Sequence, residues 1–401
     1  MEKKTANLAD ILETVKSHNT NANLEIINKA HSFAEKKSAG ILEETGRELF
    51  THLQKTAQIV SYSMMDELTV SAALLHDLPS RANVPLTEIQ KEFGDEISEI
   101  VKGLNKIVEI EEKNIGKIDA RDLTMIVLAV SKDIRSIFLR LATRTERLRE
   151  IEKYPREFQE KIAGNTLAMY APLCHKIGLD KLEWEMEDRA LKILDPDAYG
   201  MIKNKLCIER TVREQELSKI VKEISELLEK NNFKAAMQSR AKNFYSIYKK
   251  IQKGKTLADI TDLRGIRIIC DKVEECYEIL GLLHSNYLPA PKNFHDYIAA
   301  PKENKYKSIH SSIYWKRKIV EIQLRTWEMH FEAETGIAAH WRYKQYAQNM
   351  FFDKKLSWAK QLVDWQSNFP NSKDFLKSMK MDFAEKQVFV FTPKKKDNNT
   401  A

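Results

Sequence analysis

From about residue 22 to residue 232 the apolar residues recur every three to four positions, and near residue 260 that rhythm gives way to short runs rich in Ile and Val. "LTVSAALLHDL", "EISEIVKGLNKIV", "DLTMIVLAV" and "IRSIFLRLATRTERLREI" each place one apolar face at helical period. Pro79, Pro85, Pro155, Pro172 and Pro196 punctuate the helices. Only 12 glycines and 10 prolines in 401 residues leave little else to interrupt them. Later, "LRGIRIIC" (263–270), "SIHSSIYW" (308–315) and "KIVEIQLRT" (318–326) read as strands. Helices interleave at "FYSIYKKIQK" (244–253), "EECYEILGLLHS" (274–285) and "EMHFEAETGIAAHWRYKQYA" (328–347). The expected fold class is α+β and multidomain, with an all-α part followed by a mixed α/β part.

Several function classes fall away on composition. The longest apolar runs are far short of a membrane span, and the start, "MEKKTANLADILETV", has no signal-peptide core. Cys174, Cys207, Cys270 and Cys276 form no CxxC and have no zinc-ligand spacing, so free thiols in a reducing cytoplasm are expected. A net charge of +7 suits a polyanionic ligand, nucleotide or nucleic acid, and equally a mildly basic surface.

Two features of the second half carry chemistry. In "QSRAKNFYSIYKKIQKGK", Lys242, Lys249 and Lys253 fall at i, i+7 and i+11, with Arg240 and Lys250 nearby and Phe244, Ile247 and Ile251 facing inward. Such a basic ridge matches a nucleoside triphosphate, although a solvated helix face reads the same way. Asp262 precedes one strand and Glu321 lies within another, a pair of carboxylates suited to Mg²⁺. Glu321, Gln323 and Arg325 alternate with Ile322 and Leu324, which makes one strand face polar. Between the strands, Tyr306 stands among Lys302, Asn304, Lys305, Lys307 and His310, an aromatic among cations that suits a base and its phosphates.

The strings "RAKNFYSIYKK", "TDLRGIRI", "DYIAAPKENKYKSIHSS" and "VEIQLRTWEMHFEAETGIAAHWRYK" resemble the synthetase domain of long RelA/SpoT homologues, densely over about 235–345. The resemblance implies a nucleotidyltransferase-like fold and synthesis of (p)ppGpp. The 3′-hydroxyl of GDP or GTP would take pyrophosphate from ATP and AMP would leave. Carried over by position, Arg240, Lys242 and Lys250 would hold the ATP phosphates. Asp262 and Glu321 would be catalytic and hold Mg²⁺. Tyr306, Asn304, Lys302, His310, Gln323 and Arg325 would surround the acceptor. One element departs from the family. Before "YIA" it carries Arg-x-Lys-Asp or Glu-x-Asp-Asp, whereas "NFHD" supplies Asn293, His295 and Asp296. GDP-versus-GTP preference is then open, and a pH dependence of synthesis between about 6 and 7 is expected from His295.

The first half resembles the same family through "SKDIRSIFLRLA" and "YAPLCHKIGLDKLEWEMEDRAL". Its hydrolase is an HD-type domain that binds Mn²⁺ through His, His-Asp and a distant Asp. His52, His76 and Asp77 occupy the first three positions. Ser80 and Arg81 stand where the family has a Glu-Asp pair. "LATRTERL" replaces Leu-Ala-Asp-Arg-Leu-His-Asn-Met, so the fourth ligand becomes Thr143 and the Asn becomes Arg147. Losing carboxylates and adding cations weakens a hard-ion site, so a vestigial site with no Mn²⁺ is expected. Arginines in the former pocket could also hold a nucleotide uncleaved, but a scaffold restraining the synthetase is the simpler expectation.

The expected division is an HD-type pseudo-hydrolase at 1–165, a helical connector at 166–200, a synthetase domain at 201–370, and a linker with the beginning of a TGS domain at 371–401, where "KQVFVFTPKKK" resembles that domain's start. The resemblance implies a bacterial cytoplasmic enzyme with ATP and GDP or GTP as partners and no membrane. Ribosome and uncharged tRNA would be partners only of a full-length protein, through C-terminal domains. The alternatives are a hydrolase of the same alarmone and a nucleic-acid-binding module.

Overall fold

The computed structural model describes residues 7–113, 133, 135–208, 210–240, 243–254, 256, 265–290, 294–302 and 306–335. The helical part runs α1 (Leu8–His18), α2 (Leu24–Lys37), α3 (Leu49–Tyr62), α4 (Glu67–Leu75), α5 (Leu78–Arg81), α6 (Leu86–Phe93), α7 (Asp95–Lys113), α8 (Arg135–Arg149) and α9 (Arg156–Asn165). A π turn (Thr166–Tyr170), α10 (Ala171–Lys176) and α11 (Asp180–Leu194) continue it. One apolar core spans these elements from Ile11 to Ile193, so α11 packs with the helices before it. Helix α4 is the hub. Seven of its nine residues are buried because "ELTVSAALL" is apolar or small on nearly every side. Asp66 caps its start by accepting the Thr69 amide at 2.8 Å. It stops at His76, because Pro79 sits in the first turn of α5 and forces a new helix after Asp77.

The second half follows as α12 (Pro196–Ile208), α13 (Arg210–Lys230), β1 (Ala236–Arg240), α14 (Phe244–Gln252), β2 (Gly265–Cys270), α15 (Val273–Asn286), β3 (His295–Asp296), β4 (Ile309–Trp315), β5 (Lys318–Thr326) and α16 (Trp327–Thr335). The sheet order is β1-β2-β5-β4-β3, with β2 and β5 parallel and the other neighbours antiparallel. Ile266, Ile268, Ile309, Ile313, Val320, Ile322 and Leu324 form its core face, packed with Ile220, Ile224 and Leu228 of α13 and Ile279 and Leu283 of α15. The three expected strands exist, whereas β1 and β3 had no periodic signal: each is short and held by its neighbour. The expected basic ridge is shorter than the spacing implied. Helix α14 begins after Asn243 and ends before Lys253, so it carries Lys249 and Lys250, while Lys242 lies outside the described residues.

Candidate active site

With Ile322 and Leu324 turned into the core, the period of two in β5 forces Glu321, Gln323 and Arg325 onto the opposite face. Register then lines up two polar rows. Gln238, Arg267, Gln323, His310 and His295 form one, and Arg240, Gly265, Glu321 and Ser312 form the other. Within them Gln323 Nε2 donates to Glu321 Oε1 at 3.0 Å, and His310 Nδ1 lies 3.6 Å from the same oxygen. Tyr306 Oη is 2.9 Å from His310 Nε2. Lys302 Nζ sits 5.7 Å from the Tyr306 ring and 4.9 Å from that of Tyr297. Tyr297, which the sequence reading passed over, is edge-on to His310 with centroids 5.2 Å apart and stacks with His295 at 5.6 Å. The result is an aromatic and cationic cluster beside a carboxylate.

Arg325 has a different surrounding from the acceptor. It is buried, and Glu334 of α16 lies 3.3 Å from its Nη2 and 3.0 Å from Arg267 Nη1. Burial, then the like charge of Arg267, lowers the Arg325 guanidinium to about 10. Gln323 Oε1, Arg267 Nε and Arg325 Nε are buried with no hydrogen-bond partner among the described residues, so this face has unmet polar capacity. Asp296 accepts the amides of Ile298 and Ala299, both at 2.9 Å, and the Tyr277 hydroxyl at 3.0 Å, which ties it to its own turn. Asp262, Asn293 and Asn304 lie outside the described residues, and Arg240 is placed by its backbone pairing with Gly265.

The helical half holds a second constellation around a cavity of about 810 Å³. α3 supplies His52, the end of α4 supplies His76, and Asp77 follows. Their candidate ligand atoms all lie within 4.8 Å of one another. His52 Nδ1 is 2.6 Å from Glu146 Oε2, and His76 Nδ1 is 2.8 Å from the Ala73 carbonyl. These contacts engage each ring through Nδ1, and the two Nε2 atoms face each other across 3.2 Å. A shared proton or a cation satisfies both. Glu146, buried in the arginine-rich helix α8, was missed by sequence reasoning. It stands at the position of the one His in Leu-Ala-Asp-Arg-Leu-His-Asn-Met and also pairs with Arg47 at 2.5 Å.

The other substituted positions bring cations and a hydroxyl beside this group. Arg81 Nε lies 3.3 Å from Asp77 Oδ2. Burial opposes the Asp77 charge, but His76, His52, Arg81 and Arg147 outweigh it and hold the carboxyl at about 2. Thr143 turns its hydroxyl back to the Arg140 carbonyl at 2.8 Å and accepts from Arg140 Nη1 at 3.2 Å. Arg144 is buried over the Tyr170 ring at 4.2 Å, its Nε and Nη1 without a partner among the described residues, and burial then Arg140 lower it to about 9.

A family model described as a region found in RelA/SpoT proteins matches residues 239–348, and one described as an HD domain matches 30–180. A protein of Streptomyces antibioticus named GTP pyrophosphokinase is 36% identical over 92% of this chain and 46% of its own length. The chain belongs to the RelA/SpoT proteins. Another relative in this family, from Aquifex aeolicus, is named guanosine-3′,5′-bis(diphosphate) 3′-pyrophosphohydrolase and is 36% identical over 96% of this chain and 55% of its own. This RelA/SpoT chain therefore spans about half the length of the curated relatives it matches. Among solved structures, the small alarmone synthetase 2 of Bacillus subtilis is 24% identical, covering 41% of this chain and 94% of that one, with a TM-score of 0.29.

Proposed function

We propose that the chain is a (p)ppGpp synthetase, transferring pyrophosphate from ATP to the 3′-hydroxyl of GDP or GTP with release of AMP. The observation that carries the reading is the polar sheet face, where Glu321 is held by Gln323 and His310 beside the Tyr306–Lys302 cluster. Glu321 activates the attacking hydroxyl, Tyr306 and Lys302 hold the acceptor, and Lys250 with Arg240 and Lys242 holds the donor phosphates. The donor set of Glu321, with Asp262 three residues before the start of β2, fits a hard divalent ion, which as Mg²⁺ would neutralise phosphate charge. The names of the Streptomyces relatives support the same chemistry. In the described helical half the cations beside Asp77 and the turned hydroxyl of Thr143 favour a domain that no longer hydrolyses. No helix among the described residues is long and apolar enough to cross a membrane. A cytoplasmic place and ribosome-linked partners of a longer chain follow the resemblance.

One observation favours a second reading, a 3′-pyrophosphohydrolase: His52, His76 and Asp77 remain together as a three-ligand group. Incubating the chain with labelled ATP, GDP or GTP and Mg²⁺, and separately with ppGpp and Mn²⁺, tests both. Alarmone formation that disappears in Glu321→Gln supports synthesis. Pyrophosphate release from ppGpp without synthesis would overturn it.

A further inference from the structure

Among the described residues, the apolar side of the helix that bears Lys249 and Lys250 packs outside the core of the sheet. Ile247 of α14 is buried against Ile202 of α12, flanked by Leu206, Phe244, Tyr248 and Ile251, in a small core separate from that of the sheet. Tyr199 meets Phe244 edge-on at 5.2 Å. At its N-terminus, Asn243 makes no side-chain cap of its own. The Asp188 carboxylate of α11 accepts the Tyr245 amide at 2.9 Å and also holds the Phe244 amide. Beside it, Glu187 accepts from Asn243 Nδ2 at 2.7 Å and pairs with Lys249 Nζ at 3.2 Å. A helix normally meets these needs with a Ser, Thr, Asp or Asn of its own. Here the cap comes in trans, from a residue more than fifty positions earlier.

We propose that Asp188, with Glu187, is a positioning residue for donor binding: it caps α14 from the connector and thereby sets where Lys249 and Lys250 stand. The inference rests on the donor-binding reading of that ridge. Two further contacts make α11 a strut. Its Glu185 pairs with Arg149 of α8 at 2.6 Å, the helix that carries Thr143 and Glu146. Its Lys181 pairs with Glu334 of α16 at 2.7 Å, beside Arg267 and Arg325. A shift of the helical half thus reaches the donor lysines through one rigid element. Burial raises the Asp188 carboxyl to about 6, and its two backbone donors offset part of that cost.

The test is equilibrium binding of a non-hydrolysable ATP analogue and, in parallel, of GTP, each with Mg²⁺, to the whole chain. Loss of a cap is expected to raise the Kd for the ATP analogue by about tenfold in Asp188→Ala, with the GTP Kd within about twofold. Asp188→Asn, which keeps an acceptor oxygen, is expected to restore donor affinity. Unchanged donor affinity in Asp188→Ala overturns the positioning role, and so does equal weakening for both nucleotides. A wild-type chain that binds the ATP analogue yet makes no alarmone overturns the synthetase reading alone. Failure to bind the analogue at all overturns both.

Discussion

Arg81 Nε stands 3.3 Å from Asp77 Oδ2, so a cation of the chain itself occupies one side of the carboxylate that would otherwise face a metal. The wild-type chain is expected to bind Mn²⁺ weakly and to release no pyrophosphate from ppGpp. Restoring the acidic groups in Ser80→Glu/Arg81→Asp/Thr143→Asp should strengthen Mn²⁺ binding by at least about tenfold, read by the electron-spin signal of the free ion. An unchanged Mn²⁺ affinity would show that the buried His52–Glu146 contact, not the lost carboxylates, limits the site.

Tyr306 touches His310 through its hydroxyl and Lys302 through its ring, and the two roles separate by substitution. Tyr306→Ala is expected to raise the acceptor KM by about tenfold or more through loss of base stacking, with the ATP KM nearly unchanged. Tyr306→Phe keeps the ring and should recover most of that loss. Steady-state kinetics with each substrate varied in turn checks this.

Glu334 is the shared counter-charge of Arg267, Arg325 and Lys181. Glu334→Ala leaves the buried Arg325 and the partly buried Arg267 without their shared counter-charge, with an expected loss of about 3–5 kcal/mol measured by urea unfolding. Lys181→Ala removes only an exposed partner and should cost less than about 1 kcal/mol.

Acid should unfold the helical half in two stages. Burial is the main cause that lowers His76 to about 4, so its neutral form contributes stability fully present above its unfolded value and lost as pH falls from about 6.5 to about 4. For Glu146, burial opposes ionisation, but His52 and Arg47 outweigh it and hold the carboxyl at about 2, as Asp77 is held. Their contribution is present above about pH 4.5 and is lost as pH falls through about 2. Thermal melts from pH 8 to pH 3 should show Tm declining throughout the lower part. His76→Gln should flatten the stretch between about 6.5 and 4.

Local pattern and order carried much of this molecule. The period of two that sets Glu321, Gln323 and Arg325 against Ile322 and Leu324 is a property of five consecutive residues, and the strand bears it out. The helical period of "LTVSAALLHDL" likewise marked the helix that ends at His76, although not its burial on nearly every side. The shortening of the basic ridge was not legible, because a periodicity of charge does not say where a helix starts. Nor was the strand β1, which exists through its ladder with β2.

The amino-acid order alone was enough for the class of fold, the membership in the RelA/SpoT proteins and the polar face of β5. Each depends on residues close together in the chain or on their order along it. Tertiary structure decided the rest: Glu146 on His52 and Arg47, Arg81 on Asp77, Glu334 beneath Arg325, and Asp188 at the head of α14. His52 and Glu146 are 94 positions apart, and Asp188 and Tyr245 are 57 apart. No local preference couples residues at such distances. They meet only because burying the two apolar cores closes the intervening chain, and the charges left at the seams must then find partners.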